Sequence, residues 1–192
     1  MKRSPVLTEK QVKSLLSATK MTRYQERNRL MVVLSFGVGL RSCEISGITV
    51  GDVLDSENNV RETVILKSHQ TKGSQSHSVY LSESVRKEIS KYIESPKKFL
   101  VTRKSPLLSS QKGGKLSSHS VQMVLKDLYK KIGLDTCSSH SGRQTFITHL
   151  SEKGVSTRII QELARHSSMQ ITQSYIDVSV PKLKNAVNLV SI

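Results

Sequence analysis

The chain has 192 residues, and its 36% of hydrophobic residues is enough to fill the core of one generous domain or two small ones. Thirty Lys and Arg residues stand against fifteen Asp and Glu, so the formal net charge is +15. A surface this basic attracts polyanions, which makes nucleic acid the leading partner, although anion-binding enzymes and membrane-surface proteins share the same balance.

The cysteines and the apolar segments argue against several classes of protein. Cys43 and Cys137 lie far apart and match no C-x-x-C pattern, which disfavours a disulfide framework and a zinc site and fits a reducing cytosol. The basic start of the chain has no apolar run behind it, and the longest apolar segment, "LMVVLSFGVGL" at 30–40, is too short to cross a bilayer. The sequence therefore predicts a soluble, cytoplasmic protein without a membrane partner.

The first predicted elements are two helices. Thr8, followed three residues later by Gln11, is a capping-box pattern, so a helix begins almost at the N-terminus. Residues 23–40 predict a longer helix whose second half is apolar nearly all round and is therefore buried. Gly39 is the predicted breaker near its end.

A β-hairpin and two more helices are predicted next. The segments "ETVILK" at 62–67 and "HSVYL" at 77–81 are rich in β-branched and aromatic residues, and the stretch between them has turn chemistry, with Lys72 at the bend. An amphipathic helix follows Ser82. After the loop "QKGGKLSS", another helix begins near Ser118.

The rest of the chain has helical patterns throughout. The predicted segments are 139–153, 157–165, 169–176 and 182–190, the last of which follows Pro181. The sequence shows no internal repeat and no long linker. It thus predicts an α+β fold that is mostly α-helical, with a small antiparallel β-sheet inserted in its first half.

His140 and Arg143, in "SHSGRQTFITHL", are the first candidates for chemistry. They lie three residues apart, which on a helix places both side chains on one face. Arginine offers a planar fork of donors to phosphate oxygens, and histidine can transfer protons near neutral pH. The H-x-x-R spacing alone also fits a solvated helix face.

Five other candidates each have an ordinary structural explanation. Arg41 and Glu44 fit an intrahelical ion pair, yet an arginine directly after a buried apolar run needs an anionic partner, and a DNA phosphate is one candidate. Lys72 fits a solvated turn lysine, His166 a helix-end residue and Tyr175 a core aromatic.

The order of these motifs resembles a known family. "GLRSCEIS", "TKGSQSHSVYL", "HSGRQTFITHL" and "IQELARHSSMQITQSYI" follow one another like the successive motifs of the tyrosine recombinases, also called the phage integrase family. The resemblance covers nearly the whole chain, and a tyrosine nine residues beyond the last histidine makes the set highly specific. It implies the catalytic-domain fold of that family and a site-specific recombinase or integrase that cleaves and rejoins DNA through a 3′-phosphotyrosine intermediate.

The resemblance also implies which residues act on the phosphate. Arg41 and Arg143 would clamp the scissile phosphate while Tyr175 attacks it. Preplaced guanidinium groups stabilise the charge that gathers on the phosphate oxygens in the transition state. A phenol with a pKa near 10 is a poor nucleophile until such a positive cluster favours its anion.

The remaining roles that the resemblance implies concern protons and support. Lys72 would protonate the leaving 5′ oxygen, and His140 would assist proton transfer at the tyrosine. His166 would hydrogen-bond the phosphate, and Glu44 would support the site. The phosphotyrosine conserves the bond energy, so neither a cofactor nor a metal is implied.

Three positions, Gly142, Gln144 and Arg165, depart from the family pattern. The second box is commonly H-x-L-R-H, whereas this chain has "HSGRQ" at 140–144, and its Gly142 lowers helix stability by about 1 kcal/mol relative to alanine. Arg165 stands where the family usually has glycine, and it either crowds the turn or contacts a phosphate. The predicted DNA contacts are therefore Arg41, Lys72, Arg143 and Arg165.

Most relatives carry a helical DNA-binding domain ahead of this one, and only seven residues precede Thr8 here. The sequence therefore predicts a single catalytic domain over 1–192, either a natural single-domain recombinase or an excised fragment. Two alternatives remain open: a type IB topoisomerase, which usually has lysine where His140 stands, and a non-catalytic DNA-binding regulator with the same fold.

The tail "PKLKNAVNLVSI" predicts a helix with one apolar face, formed by Leu183, Ala186, Val187 and Val190. This face either folds back onto its own domain or, as the resemblance implies, docks into a neighbouring protomer. The resemblance thus predicts double-stranded DNA as the partner, a homo-tetramer on DNA and a largely monomeric free protein. The prokaryotic cytosol or nucleoid is the expected location.

Overall fold

The computed structural model describes residues 4–71, 75–95, 102–176, 183 and 187–188, and this part of the chain is mostly helical with a two-stranded antiparallel sheet, as the sequence predicts. The helices are α1 (Glu9–Ala18), α2 (Gln25–Gly37), α3 (Ser42–Gly47), α4 (Val50–Val53), α5 (Glu83–Ile93), α6 (Ser118–Lys131), α7 (Ser141–Glu152), α8 (Thr157–Ala164) and α9 (Met169–Gln173). The strands are β1 (Thr63–Leu66) and β2 (His77–Tyr80). Across the residues described, none of the helices is both long enough and apolar enough to span a membrane.

The helix α1 begins at the predicted capping box. The Gln11 backbone N–H donates to the Thr8 hydroxyl, and the Thr8 backbone N–H donates to the Gln11 side chain. Two N–H groups that a helix start leaves without partners are thereby satisfied. The prediction of a helix close to the N-terminus is confirmed.

The helix α2 is shorter at both ends than the predicted span of 23–40. Its second half is buried as predicted, with Leu30, Met31 and Leu34 in the main hydrophobic core. The chain leaves the helix before Gly39, whose φ of +67° favours glycine. A side chain at this position would also place its Cβ 2.6 Å from Cδ1 of Phe146. Because Gly39 has no Cβ, Phe146 of α7 can approach the end of α2.

The β-hairpin is confirmed, with Val64 paired to Val79 and Leu66 to His77. Val64, Leu66 and Val79 are buried, whereas Tyr80 on the opposite face is exposed. Because side chains alternate along a strand, one face of the hairpin packs on the core and the other faces outward. Lys72, predicted at the bend, lies outside the described residues.

A buried polar network fixes the base of this hairpin. The Gln70 side chain donates to the Gly47 carbonyl at 2.8 Å and to Oδ2 of Asp52 at 2.7 Å. Lys67 Nζ lies 3.0 Å from Oδ1 of the same carboxylate. The residues that follow β1 are therefore held against α3 and α4.

The predicted helices after Ser82 and near Ser118 are present as α5 and α6. Ser82 and Ser117 cap them, each accepting a backbone N–H of the first turn through its hydroxyl. The apolar stripes predicted from spacing face the main core. Their buried members are Val85 and Ile89 in α5, and Val121, Leu125 and Leu128 in α6.

The helices α7 and α8 form a second, smaller hydrophobic cluster, against which Tyr175 and Ile176 pack. Its fully buried members are Ile147, Ile160 and Ala164. The helices α7, α8 and α9 are shorter than the predicted 139–153, 157–165 and 169–176. Of the predicted helix 182–190, only residues 183, 187 and 188 lie among the described residues.

Gly142 lies where α7 crosses α2. A Cβ at this position would stand 2.1 Å from Oγ of Ser35 and 3.2 Å from Cδ2 of Phe36. The leucine that the family commonly has here therefore does not fit against this α2. The departure from the family pattern has a packing reason, because it allows the two helices to approach closely.

Candidate active site

A cleft of about 950 Å³ lies where β2, the start of α7 and the connection between α8 and α9 meet. The predicted candidates that line it are Arg41, His140, Arg143, Arg165, His166 and Tyr175. Lys72 lies outside the described residues, and Gln75 and Ser76, just past the hairpin bend, line the same cleft. Motifs separated by more than a hundred residues in sequence thus share one cavity.

Arg41 and Glu44 form a closed pair at the start of α3. The Arg41 backbone N–H donates to Oε2 of Glu44 at 2.8 Å, and its Nη1 donates to Oε1 at 2.8 Å. The Glu44 side chain is fully buried, whereas the Arg41 side chain is 24% exposed. The carboxylate therefore holds the guanidinium of Arg41, which lines the cleft.

Arg143 is buried one turn into α7. Its Nη1 donates to the Gly39 carbonyl at 2.8 Å, and its Nη2 donates to the Ala164 carbonyl. Burial, and then the charges of Arg41 and Arg165, lower the pKa of Arg143 to about 9. A guanidinium that is desolvated beside other cations gains strongly from an anion in the cleft.

Arg165 follows α8 in a left-handed conformation, with φ 55° and ψ 47°. Its Nη2 donates to Oε2 of Glu44 at 3.0 Å and to the Gly39 carbonyl at 3.1 Å, and its side chain is only 2% exposed. Its Nη1 donates to the Leu163 carbonyl at 2.8 Å. These contacts hold Arg165 at the wall of the cleft, and its contact with DNA stays a prediction.

Glu44 is the carboxylate that bonds to both Arg41 and Arg165. Burial alone would raise its pKa, but Arg165, the Arg41 backbone N–H and the guanidinium groups of Arg41 and Arg143 together hold the pKa below its ordinary value. Glu44 is therefore negatively charged at neutral pH. It compensates part of the charge of three arginines, and the cluster retains an excess of positive charge.

His166 and Tyr175 stack on each other beside the arginines, with ring centroids 5.2 Å apart and ring planes inclined by 29°. Nδ1 of His166 lies 2.9 Å from the hydroxyl of the buried Thr172. Burial, followed by the charges of Arg143 and Arg41, lowers the pKa of His166 to about 3. The imidazole is therefore neutral at pH 7.

His140 immediately precedes α7 and already has a helical backbone, with φ −85° and ψ −16°. It therefore keeps the one-turn spacing to Arg143 that the sequence predicts, and both side chains line the cleft. The two differ in burial, because His140 is exposed and Arg143 is buried. Among the described residues, no three His, Cys, Asp or Glu side chains group as metal ligands would.

Two features of the site are not apparent in the motifs. The Gly39 carbonyl accepts hydrogen bonds from both Arg143 and Arg165. Thr172, which fixes the His166 ring, lies in a helix that the sequence predicts only by its periodicity. The role of the Gly39 carbonyl cannot be read from the sequence, because every residue has a backbone carbonyl and only the glycine itself marks the turn.

Comparison with known proteins gives a consistent result. The model of the phage integrase family matches residues 5–181. The chain is 33% identical over 187 residues to the tyrosine recombinase XerA of Pyrococcus horikoshii, covering 94% of this chain and 59% of that protein. It is 34% identical over 160 residues to the tyrosine recombinase XerD of Corynebacterium glutamicum, covering 82% of this chain and 50% of that one.

Solved structures show the same fold. A crystal structure of XerA recombinase superposes with a TM-score of 0.77 at 22% identity, covering 98% of this chain and 66% of that one. A λ integrase dimer bound to a COC′ core site gives a TM-score of 0.70 at 20% identity, covering 92% of this chain and 49% of that one. The chain thus spans about half to two thirds of the length of these relatives.

Proposed function

Since this chain belongs to the phage integrase family, we propose that residues 1–192 form the catalytic domain of a site-specific DNA recombinase, which cleaves and rejoins DNA strands through a 3′-phosphotyrosine intermediate. One observation carries the proposal. Two arginines, two histidines and a tyrosine, predicted from separate motifs, line a single cleft. Their types match a phosphodiester substrate.

The arginines supply the binding energy for the scissile phosphate. Arg143 is already fixed by two carbonyl groups and Arg41 by Glu44, so neither needs to reorganise when charge develops on the phosphate oxygens. Preorganised donors of this kind stabilise a transition state more than a flexible side chain does. A phosphate also offsets the mutual repulsion of the buried cations.

Tyr175 is the proposed nucleophile. Its oxygen forms a bond to phosphorus while the bond from phosphorus to the 5′ oxygen breaks, and Lys72 protonates that leaving oxygen. His140 accepts the phenolic proton. In the reverse direction the free 5′ hydroxyl attacks the phosphotyrosine, so strands are rejoined without an external energy source.

His166 is the proposed hydrogen-bond donor to the phosphate. Its low pKa keeps the imidazole neutral, so the ring carries a single proton. When the Thr172 hydroxyl donates to Nδ1, that proton lies on Nε2, from which it can be donated to a phosphate oxygen. Stacking against Tyr175 fixes the ring beside the nucleophile.

We propose double-stranded DNA as the partner because the net charge of +15 provides the long-range attraction. On DNA, we propose a homo-tetramer in which the tail docks onto a neighbouring protomer, whereas the free protein is monomeric. Leu183 and Val187 support this assembly, since 56% and 71% of their surfaces are exposed. With DNA as the substrate, the proposed location is the prokaryotic cytosol or nucleoid.

A nicked duplex tests the proposal. Fragments that flank the protein's own gene are incubated with the protein, and covalent complexes are separated in SDS and mapped to a single phosphate. We expect a protease-sensitive adduct with the wild-type protein and none with Tyr175→Phe, which keeps the ring but removes the nucleophilic oxygen. An adduct that persists in Tyr175→Phe contradicts the assignment of the nucleophile, and a wild-type protein that forms none contradicts the proposed function.

A further inference from the structure

Arg165 occupies a backbone conformation that costs an ordinary residue energy. Its φ of 55° lies in the left-handed region, where a residue with a Cβ is strained and glycine is not. A glycine would satisfy this turn without strain. The arginine side chain therefore has to make contacts that offset the strain.

The contacts of Arg165 lead to both proposed phosphate-binding arginines. Its Nη2 bonds Glu44 at 3.0 Å, and Glu44 holds Nη1 of Arg41 at 2.8 Å. The same Nη2 bonds the Gly39 carbonyl at 3.1 Å, and that carbonyl also holds Nη1 of Arg143 at 2.8 Å. One nitrogen of Arg165 thus touches the acceptor that positions each of the other two guanidinium groups.

We propose that Arg165 is a positioning residue that sets the relative placement of Arg41 and Arg143 through Glu44 and the Gly39 carbonyl. The inference rests on the proposed function, in which those two arginines bind one phosphate. Arg165 lines the cleft, but its side chain is only 2% exposed and its Nη1 and Nη2 already donate to protein acceptors, so we assign its effect on the phosphate to Arg41 and Arg143. Its planar guanidinium can bridge two acceptors in fixed geometry, which the single ammonium of lysine does less well.

Two substitutions separate the side chain from the backbone. Arg165→Gly removes the guanidinium and relieves the left-handed strain, so the turn itself is kept. Arg165→Lys keeps the charge and loses the fork. The matched control is Arg29→Ala. It removes another arginine, one that is half-buried and pairs with Glu88 at 2.6 Å, and it lowers the net charge by the same amount as Arg165→Gly.

Three measurements are compared across these variants. The first is the single-turnover rate of covalent adduct formation on the nicked duplex, and the second is the dissociation constant for that duplex. The third is the affinity for orthovanadate, a phosphate analogue that needs no DNA sequence, measured by calorimetry. Thermal unfolding of each variant gives the folded fraction at the assay temperature.

For Arg165→Gly we expect a cleavage rate and a vanadate affinity that are each lower by about tenfold or more, with duplex affinity changed by less than about threefold. Duplex affinity changes little because many surface phosphate contacts contribute to it. Arg165→Lys should give an intermediate rate, and added guanidinium ion should restore part of the rate of Arg165→Gly. Arg29→Ala should behave like the wild type in all three measurements.

Several outcomes overturn the positioning role. They are an Arg165→Gly protein that cleaves and binds vanadate like the wild type, an Arg165→Lys protein with the full wild-type rate, and a loss that only follows the unfolded fraction. Failure of the proposed function is distinguishable. In that case the wild-type protein forms no adduct, and the effect of Arg165 on vanadate affinity is still measured and decides the positioning role.

Discussion

Gly142→Ala provides a sharp test of the packing between α2 and α7, because two physical effects oppose each other. Inside a helix, alanine is favoured over glycine by about 1 kcal/mol. The new Cβ, however, would lie 2.1 Å from Oγ of Ser35 and 3.0 Å from its Cβ. Rotation of the hydroxyl relieves the first contact but not the second, so the helices must separate slightly.

The magnitude follows from these distances. Overpacking a core costs about 1 to 3 kcal/mol, and overlap with a buried residue places this case in the upper half of that range. After subtracting the gain in helix propensity, we expect Gly142→Ala to lower the free energy of unfolding by about 1 to 2 kcal/mol. For a chain of this size, Tm should fall by roughly 2 to 8 °C.

The assay is urea unfolding of a four-member set. Ser35→Ala removes a buried hydroxyl that lacks a hydrogen-bond partner, so alone it should be nearly neutral. Combined with Gly142→Ala, it should recover less than about 0.5 kcal/mol, because Cβ of Ser35, which makes the contact that rotation does not relieve, is kept. Gly114→Ala is the matched control, because among the described residues other than its chain neighbours no atom lies within 4 Å of a Cβ at Gly114. A Gly142→Ala protein at least as stable as the wild type would refute the close-packing argument.

Three further predictions concern charge. Glu44→Gln removes the buried carboxylate between Arg41 and Arg165, so we expect urea unfolding to show a loss of about 3 to 5 kcal/mol, and a loss below about 1 kcal/mol would contradict this account of the cluster. The pKa of His166 is about 3 in the folded state, below its ordinary 6.5, so protonation favours the unfolded state. The free energy of unfolding should therefore fall as pH drops from 6.5 toward 3, and His166→Gln should make this fall shallower, whereas an equal slope in both proteins would contradict the low pKa. The association constant for duplex DNA should fall as salt is added, with a slope of about −0.9 per phosphate contact in a plot of log K against log salt concentration. An association constant that salt leaves unchanged would argue against binding dominated by phosphate contacts.

The sequence predicts most of the fold because its signals are local. The capping box at Thr8, the apolar stripes of α5 and α6, and the β-branched segments around the hairpin each specify an element within a few residues. The motif order likewise predicts that Arg41, Arg143 and Tyr175 share a cleft, whereas Lys72 lies outside the described residues. Helix ends are less accurate, since α2 ends where Phe146 packs on Gly39, a contact between distant parts of the chain.

The sequence does not predict the role of Arg165. A left-handed arginine runs against local preference, and its partner Glu44 lies 121 residues away. The low pKa of His166 is equally invisible, because it results first from burial and then from arginines that other elements supply. Such features depend on the finished tertiary structure, which no short motif encodes.

The division of the hydrophobic core has a consequence for dynamics. Glu44 lies in α3 and Arg41 immediately precedes that helix, which packs on the large cluster. Tyr175 instead packs against the small cluster of Ile147, Ile160 and Ala164. Segments with few buried apolar contacts open at a lower free energy than the whole domain. Amide hydrogens of α8 and α9 should therefore exchange with solvent well before those of α2 and α6. The protein can thus withdraw its proposed nucleophile by a local opening while Arg41 and Glu44 stay folded.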